Sequence, residues 1–118
     1  MDERDKEEII KRYTERFDRL GGYVESLGSG SEEHQTIRYR VLSEIGDLGG
    51  QRVLDVGCGF GGFLDYCRHY GQPMSYTGID IVPALIEEAK RKHPDGVFLE
   101  MDIFQAPDDF EFDYVVSS

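Results

Sequence analysis

The segment VLDVGCGFGG, residues 53–62, constrains this chain more than any other stretch. An apolar run of strand length ends in a glycine-rich turn, and just beyond it Phe63, Cys67 and Tyr70 recur at helical spacing. Glycine combines positive φ with a backbone bare enough for close approach, and the N–H groups that open the next helix point into the same space. The expectation is a buried strand whose carboxyl end feeds a ligand site.

The rest of the chain repeats that alternation. Strands are expected over Gln51–Val56, Ser75–Ile79, Val97–Met101 and Phe112–Val116. Between them, helical patterns run from about Gly62 to Tyr70, stopped by Gly71, and from Pro83 to the terminating His93-Pro94-Asp95-Gly96. Glu87 with Arg91 and Glu88 with Lys92 sit at i,i+4 on the wet face of the second. Short strands alternating with helices predict an α/β fold with a parallel sheet. Ahead of it, Ile9, Ile10, Tyr13, Phe17 and Leu20 stripe a helix over Glu3–Leu20 that Gly21-Gly22 ends. After the loose Gly28–Ser31 stretch, Ser31 is the expected N-cap of a second helix carrying Ile37, Val41, Leu42 and Ile45. A single domain is expected: a helical segment over residues 1–49, then a ligand-binding α/β half over residues 50–118.

Charge narrows the partners. A formal charge of −11 argues against nucleic acid or an anionic membrane surface as the main partner, because phosphate binding rests on clustered cations. No apolar run approaches the roughly 18 residues that span a bilayer. The N-terminus is charged from Asp2 onward with no apolar signal-type region, and Cys58 and Cys67 sit in no CxxC or metal-ligand spacing. Reduced thiols in the cytoplasm are the expectation. His34, His69 and His93 form no metal constellation in sequence.

Gly57, Gly59 and Gly62 satisfy GxGxxG, and Asp80 falls where a ribose-binding acid would stand, so an NAD-binding oxidoreductase domain is one reading. Asp55 opposes it. A carboxylate two residues before the first glycine would face a dinucleotide's pyrophosphate, and like charges in a partly dry crevice repel strongly. An adenosine with an ammonium and a sulfonium at its other end would turn that repulsion into attraction. Asp80 and Asp102 each close a neighbouring strand, so Asp55, Asp80 and Asp102 are expected to line one crevice. Plain structural roles stand beside these: Asp55 or Asp80 as a helix cap, Asp102 as a turn residue, Cys58 as a small residue in a tight loop.

VLDVGCGFGG is followed by YTGIDIVPALIEEAK at 76–90, FLEMDIF at 98–104 and FDYVVSS at 112–118. In that order and spacing, these segments resemble the class I S-adenosylmethionine-dependent methyltransferases. The resemblance implies a Rossmann-like sheet of order 3-2-1-4 and S-adenosylmethionine as cofactor. It places the Gly57, Cys58 and Gly59 backbone around the methionine moiety, with Asp55 reaching its ammonium directly or through water. Asp80 would accept from both ribose hydroxyls, Ile81 would pack on the adenine, Asp102 would accept the adenine amino group, and the Ile103 N–H would meet a ring nitrogen. Ser117 would stand beside the methyl group, and Tyr13, Arg38 and Tyr39 hold a lesser claim on the cofactor carboxylate. The implied reaction is in-line attack by an acceptor nucleophile on the sulfonium methyl.

The family's sheet usually continues past a fourth strand. A fragment of a longer enzyme, or a second copy pairing on the exposed edge at Tyr114, Val115 and Val116, is therefore expected. The acceptor is unassigned, a small molecule or protein being favoured over nucleic acid. A non-catalytic cofactor-binding module is the further alternative.

Overall fold

The structure is a computed structural model that describes residues 3–20, 32–71 and 73–118, with backbone alone at 13, 16–20 and 32. The expected Gly21-Gly22 stop, the Gly28–Ser31 stretch with its Ser31 cap, and the Tyr13, Phe17 and Leu20 side chains lie outside the described residues. Helices α1 (Glu3–Leu20) and α2 (Glu32–Ser43) precede β1 (Arg52–Val56), α3 (Gly62–His69), β2 (Ser75–Asp80), α4 (Pro83–Lys92), β3 (Val97–Glu100) and β4 (Tyr114–Val116). A 3₁₀ turn, Ile103–Gln105, follows β3.

The strands form one parallel sheet in the order β3-β2-β1-β4, the Rossmann-like arrangement the sequence led us to expect. Strand periodicity explains the packing. Val53 lies opposite Tyr76 and Tyr114, and Gly78 opposite Phe98, so alternate residues of neighbouring strands share a face. On that face Val53, Phe98 and Val116 join Phe63 and Cys67 of α3 and Ile86 and Ala89 of α4 in the main core. Asp55 follows Val53 by two residues and is carried onto the same side, under the helices. A smaller cluster of Phe60, Val82 and Leu85 receives Ile10, which docks α1.

Of the apolar residues expected on the second helix, only Leu42 turns inward. Ile37, Val41 and Ile45 are 53%, 60% and 51% exposed, while Gln35 is buried and Tyr39 and Leu42 pack on the core. Tyr39 sets this orientation, its ring centroid 5.9 Å from that of Phe63 and 6.0 Å from that of Tyr66. Aromatic contact area outweighs three aliphatic side chains in deciding which face turns inward.

Local details differ from expectation by short range. Arg91 pairs with Glu88 one turn back, and the Lys92 ammonium sits 4.7 Å from the Phe60 ring centroid. Strand β4 is shorter than expected, because Asp113 is clipped to Arg52 instead. Its carboxylate accepts the Arg52 N–H at 2.8 Å and its own N–H donates to the Arg52 carbonyl at 2.9 Å. Order places β4 at an edge, with Val115 61% exposed. No described helix is long and apolar enough to cross a membrane.

Candidate functional site

The turn after β1 is fixed from the neighbouring strand. The N–H groups of Gly57 and Cys58 both donate to the Ile79 carbonyl, at 2.8 and 3.0 Å. Gly57 takes φ +74°, and a Cβ placed there would meet nothing within 4 Å. That open space is a cavity of about 480 Å³, within the usual size of small-ligand sites. Gly57, Cys58 and Gly59 form part of its wall, the ends of β2 and β3 another, and Gln35 and Tyr39 of α2 the far side.

Asp80 holds two loops together. Its Oδ2 accepts the Gly59 N–H at 3.1 Å and its Oδ1 accepts the Val82 N–H at 3.0 Å. Each oxygen keeps acceptor capacity toward the cavity that Asp80 lines. Burial pushes its carboxyl above the usual carboxylate range, and backbone N–H groups pull the other way. Ile81 lines the same wall.

Asp102, 5% exposed, accepts the Phe104 N–H at 3.0 Å and caps the 3₁₀ turn, while Lys6 of α1 brings its ammonium to 4.0 Å. Ile103 opens that turn, and both residues line the cavity. The capping role and the cavity position therefore coexist in Asp102, and in Asp80.

Asp55 stands elsewhere. It is wholly buried beneath the site, its Oδ2 accepting the Tyr76 hydroxyl at 2.7 Å and its Oδ1 the Ser118 hydroxyl at 2.6 Å and N–H at 3.2 Å. Burial raises its pKa against these bonds, and the charge of Asp80 adds to the rise. Ser118 belongs to the cavity wall, whereas Ser117 is exposed and stands off it. The structure thus brings Asp80 and Asp102 to one crevice and sets Ser118 between that crevice and Asp55.

Cys58 is buried with its thiol directed at the Gly59 carbonyl, 3.7 Å away. Desolvation, then Asp55 and Asp80, raise its pKa, so it is an inert thiol. Cys67 is pushed up to about 11, mainly by burial. Both cysteines are free.

Sequence reading passed over Gln35 and Ser118. Gln35 stands four residues before Tyr39, on the same helix face, which is the spacing signal that could have found it. Arg38 donates to Gln35 Oε1 at 3.2 Å and to the Ser118 carbonyl at 3.4 Å, joining α2 to the end of β4.

Comparison with known proteins agrees with this geometry. A family model described as "Methyltransferase domain" matches residues 53–118. Phthiotriol/phenolphthiotriol dimycocerosates methyltransferase of Mycobacterium tuberculosis is 35% identical over 97 residues, which cover 80% of this chain and 36% of that protein. The chain thus spans about a third of that relative's length. An S-adenosylmethionine-dependent methyltransferase from Mesorhizobium loti is 27% identical at a TM-score of 0.56, covering 75% of this chain and 39% of that one. Magnesium protoporphyrin IX methyltransferase of Synechocystis PCC 6803, solved with bound SAH, shares the fold at a TM-score of 0.64 and 21% identity. That alignment covers 96% of this chain and 57% of the Synechocystis chain. With its sheet order, its glycine turn and a family match running from β1 through Ser118, the chain belongs to the methyltransferase-domain family of the class I, Rossmann-like kind.

Proposed function

We propose that this chain binds S-adenosylmethionine and supports transfer of its methyl group to an acceptor nucleophile. Asp80 is the observation that carries the reading. It is a carboxylate held by two backbone N–H groups, at 3.1 and 3.0 Å, with its remaining acceptor capacity facing a 480 Å³ cavity. That is the chemistry a pair of vicinal hydroxyls requires. The open space over Gly57 provides the bare backbone that the methionine moiety needs.

In this reading Asp80 holds the ribose hydroxyls and Ile81 packs on the adenine. Asp102 accepts the adenine amino group and the Ile103 N–H meets a ring nitrogen. Gly57, Cys58 and Gly59 surround the thioether side, and Ser118, held by Asp55, takes the place at the β4 end expected of Ser117. The bound cofactor supplies an electrophilic methyl on a sulfonium. The chain's own contribution is to align that methyl and keep water away, which alone is worth many orders of magnitude in rate. The acidic balance supports a small-molecule or protein acceptor over nucleic acid. Two free buried thiols support a reducing, cytoplasmic setting. The exposed Val115 edge supports pairing with a second copy, to be read by light scattering.

Calorimetric titration tests the central claim. S-adenosylhomocysteine is expected to bind in the micromolar range and NAD far more weakly. Tighter binding of NAD, or no binding of S-adenosylhomocysteine to the folded chain, would overturn it.

A further inference from the structure

Lys6, Ile9 and Ile10 are spaced to share one face of α1, and all three reach the part of the molecule where Asp80 and Asp102 stand. Ile10 docks on Phe60, Val82 and Leu85, and Ile9 lines the cavity itself. Lys6 goes to a carboxylate. Its ammonium stands 4.0 Å from Asp102 Oδ2, the two side chains being 19% and 3% exposed. In each of the pairs Arg40–Glu44, Arg52–Asp113, Arg68–Asp95 and Arg91–Glu88, by contrast, one partner is more than half exposed. Asp102 lines two hollows, the ligand cavity and a smaller one of about 310 Å³. Lys6, Glu100 and Gln105 line only the second, so the carboxylate is a partition between the ammonium and the ligand cavity. Its Oδ1 accepts the Phe104 N–H at 3.0 Å, and among the described residues nothing hydrogen-bonds to Oδ2. At 4.0 Å the ammonium is beyond hydrogen-bond reach, which leaves the acceptor capacity of Oδ2 intact.

An ionised carboxylate only accepts hydrogen bonds, whereas a neutral carboxyl both donates and accepts. Only the ionised form therefore tells a 6-amino purine, which offers an N–H, from a 6-oxo purine, which offers one more acceptor. Holding charge on a side chain so nearly dry is costly, and an opposite charge facing it offsets that cost. Lys6 brings the opposite charge from outside the ligand cavity, clear of the place where a base's amino group arrives. Taking away one partner of such a pair leaves the other unbalanced. The readiest relief for Asp102 is then a proton on Oδ2, which ends its preference for amino over oxo.

We infer that Lys6 of α1 is a positioning residue for purine selection: acting through Asp102, it makes the site take adenine and reject a 6-oxo base. The inference rests on the proposed contact between Asp102 and the adenine amino group, and goes beyond it by tracing the selectivity to a side chain that never touches the ligand.

Binding of matched probes to the 118-residue chain tests it. S-adenosylhomocysteine and 5′-methylthioadenosine both carry the 6-amino group, the second lacking the amino-acid end. 5′-Methylthioinosine is the second with a 6-oxo group in its place. Wild type is expected to prefer methylthioadenosine to methylthioinosine by roughly a hundredfold or more. Lys6→Met should weaken S-adenosylhomocysteine and methylthioadenosine roughly tenfold and leave methylthioinosine within about twofold, so that the preference shrinks. Lys6→Arg, which keeps the charge, should retain most of it. Ile10→Ala, which loosens the docking of α1 and leaves the ion pair its two partners, should weaken both purines alike. A preference unchanged in Lys6→Met, with every probe weakened together, would overturn the inference, since Lys6 would then only hold α1 in place. Lys6→Arg as unselective as Lys6→Met would overturn it too. Wild type binding the two purines equally would refute selection by Asp102 and spare the cofactor reading. Wild type binding neither S-adenosylhomocysteine nor methylthioadenosine would remove that reading and the inference together.

Discussion

The two ends of the cavity are built by different means. At the acidic end, Asp80 and Asp102 are held by backbone N–H groups, those of Val82 and Phe104 two residues on and that of Gly59 in the turn after β1. At the far end, Gln35 and Tyr39 arrive on a helix from well before the sheet, and the Tyr39 ring is seated by contact with Phe63 and Tyr66. One end is set by backbone hydrogen bonds to carboxylates and the other by side-chain packing. The first should survive core mutation and fail with a single carboxylate, and the second should behave in the opposite way.

The largest effect falls on the packing side. Phe63 is fully buried, and its removal should lower the unfolding free energy by about 3–5 kcal/mol in urea titration. Under conditions where Phe63→Ala stays folded, S-adenosylhomocysteine should lose more affinity than methylthioadenosine. Equal losses would erase the distinction between the ends. Next in size, Asp80→Ala should weaken both probes alike, by roughly a hundredfold if two charge-assisted bonds are lost. A loss confined to S-adenosylhomocysteine would place the nucleoside elsewhere.

The smallest effect concerns Asp55, which belongs to neither end and lies under both. Its folded pKa is raised, mainly by burial, above the value of about 4 that it has in the unfolded chain. Between those values the folded state holds more protons than the unfolded state, so stability from this group falls as pH rises through that window. The urea midpoint of wild type should therefore drop relative to Asp55→Asn as pH rises from about 4. A wild-type midpoint that stays level with that of Asp55→Asn across this range, or rises relative to it as pH rises, would contradict the placement.

Much of this is legible in the sequence. Changes of period and the glycine and proline punctuation marked the strands and helices, and the resemblance supplied the sheet order later seen in the structure. Asp80 and Asp102 were found because an acid closing a strand next to a tight turn is a local pattern. What failed to show was long-range. Asp55 reads as a ligand contact until strand alternation carries it to the helix-covered face beside Val53. Ser117 and Ser118 differ by a single residue, and only the end of β4 at Val116 decides which enters the wall. For α2 the aliphatic spacing marked a helix correctly, but of its four residues only Leu42 packs inward, since Tyr39 had the better surface to bury. Gln35 was hidden by the same misreading.

The bonds of Asp55 carry a mechanical consequence. From the central strand it grips Tyr76 on β2 and Ser118 just past β4, so both flanking strands are moored to one carboxylate. Prising β4 away to admit a ligand would tear that mooring and start to unzip the sheet.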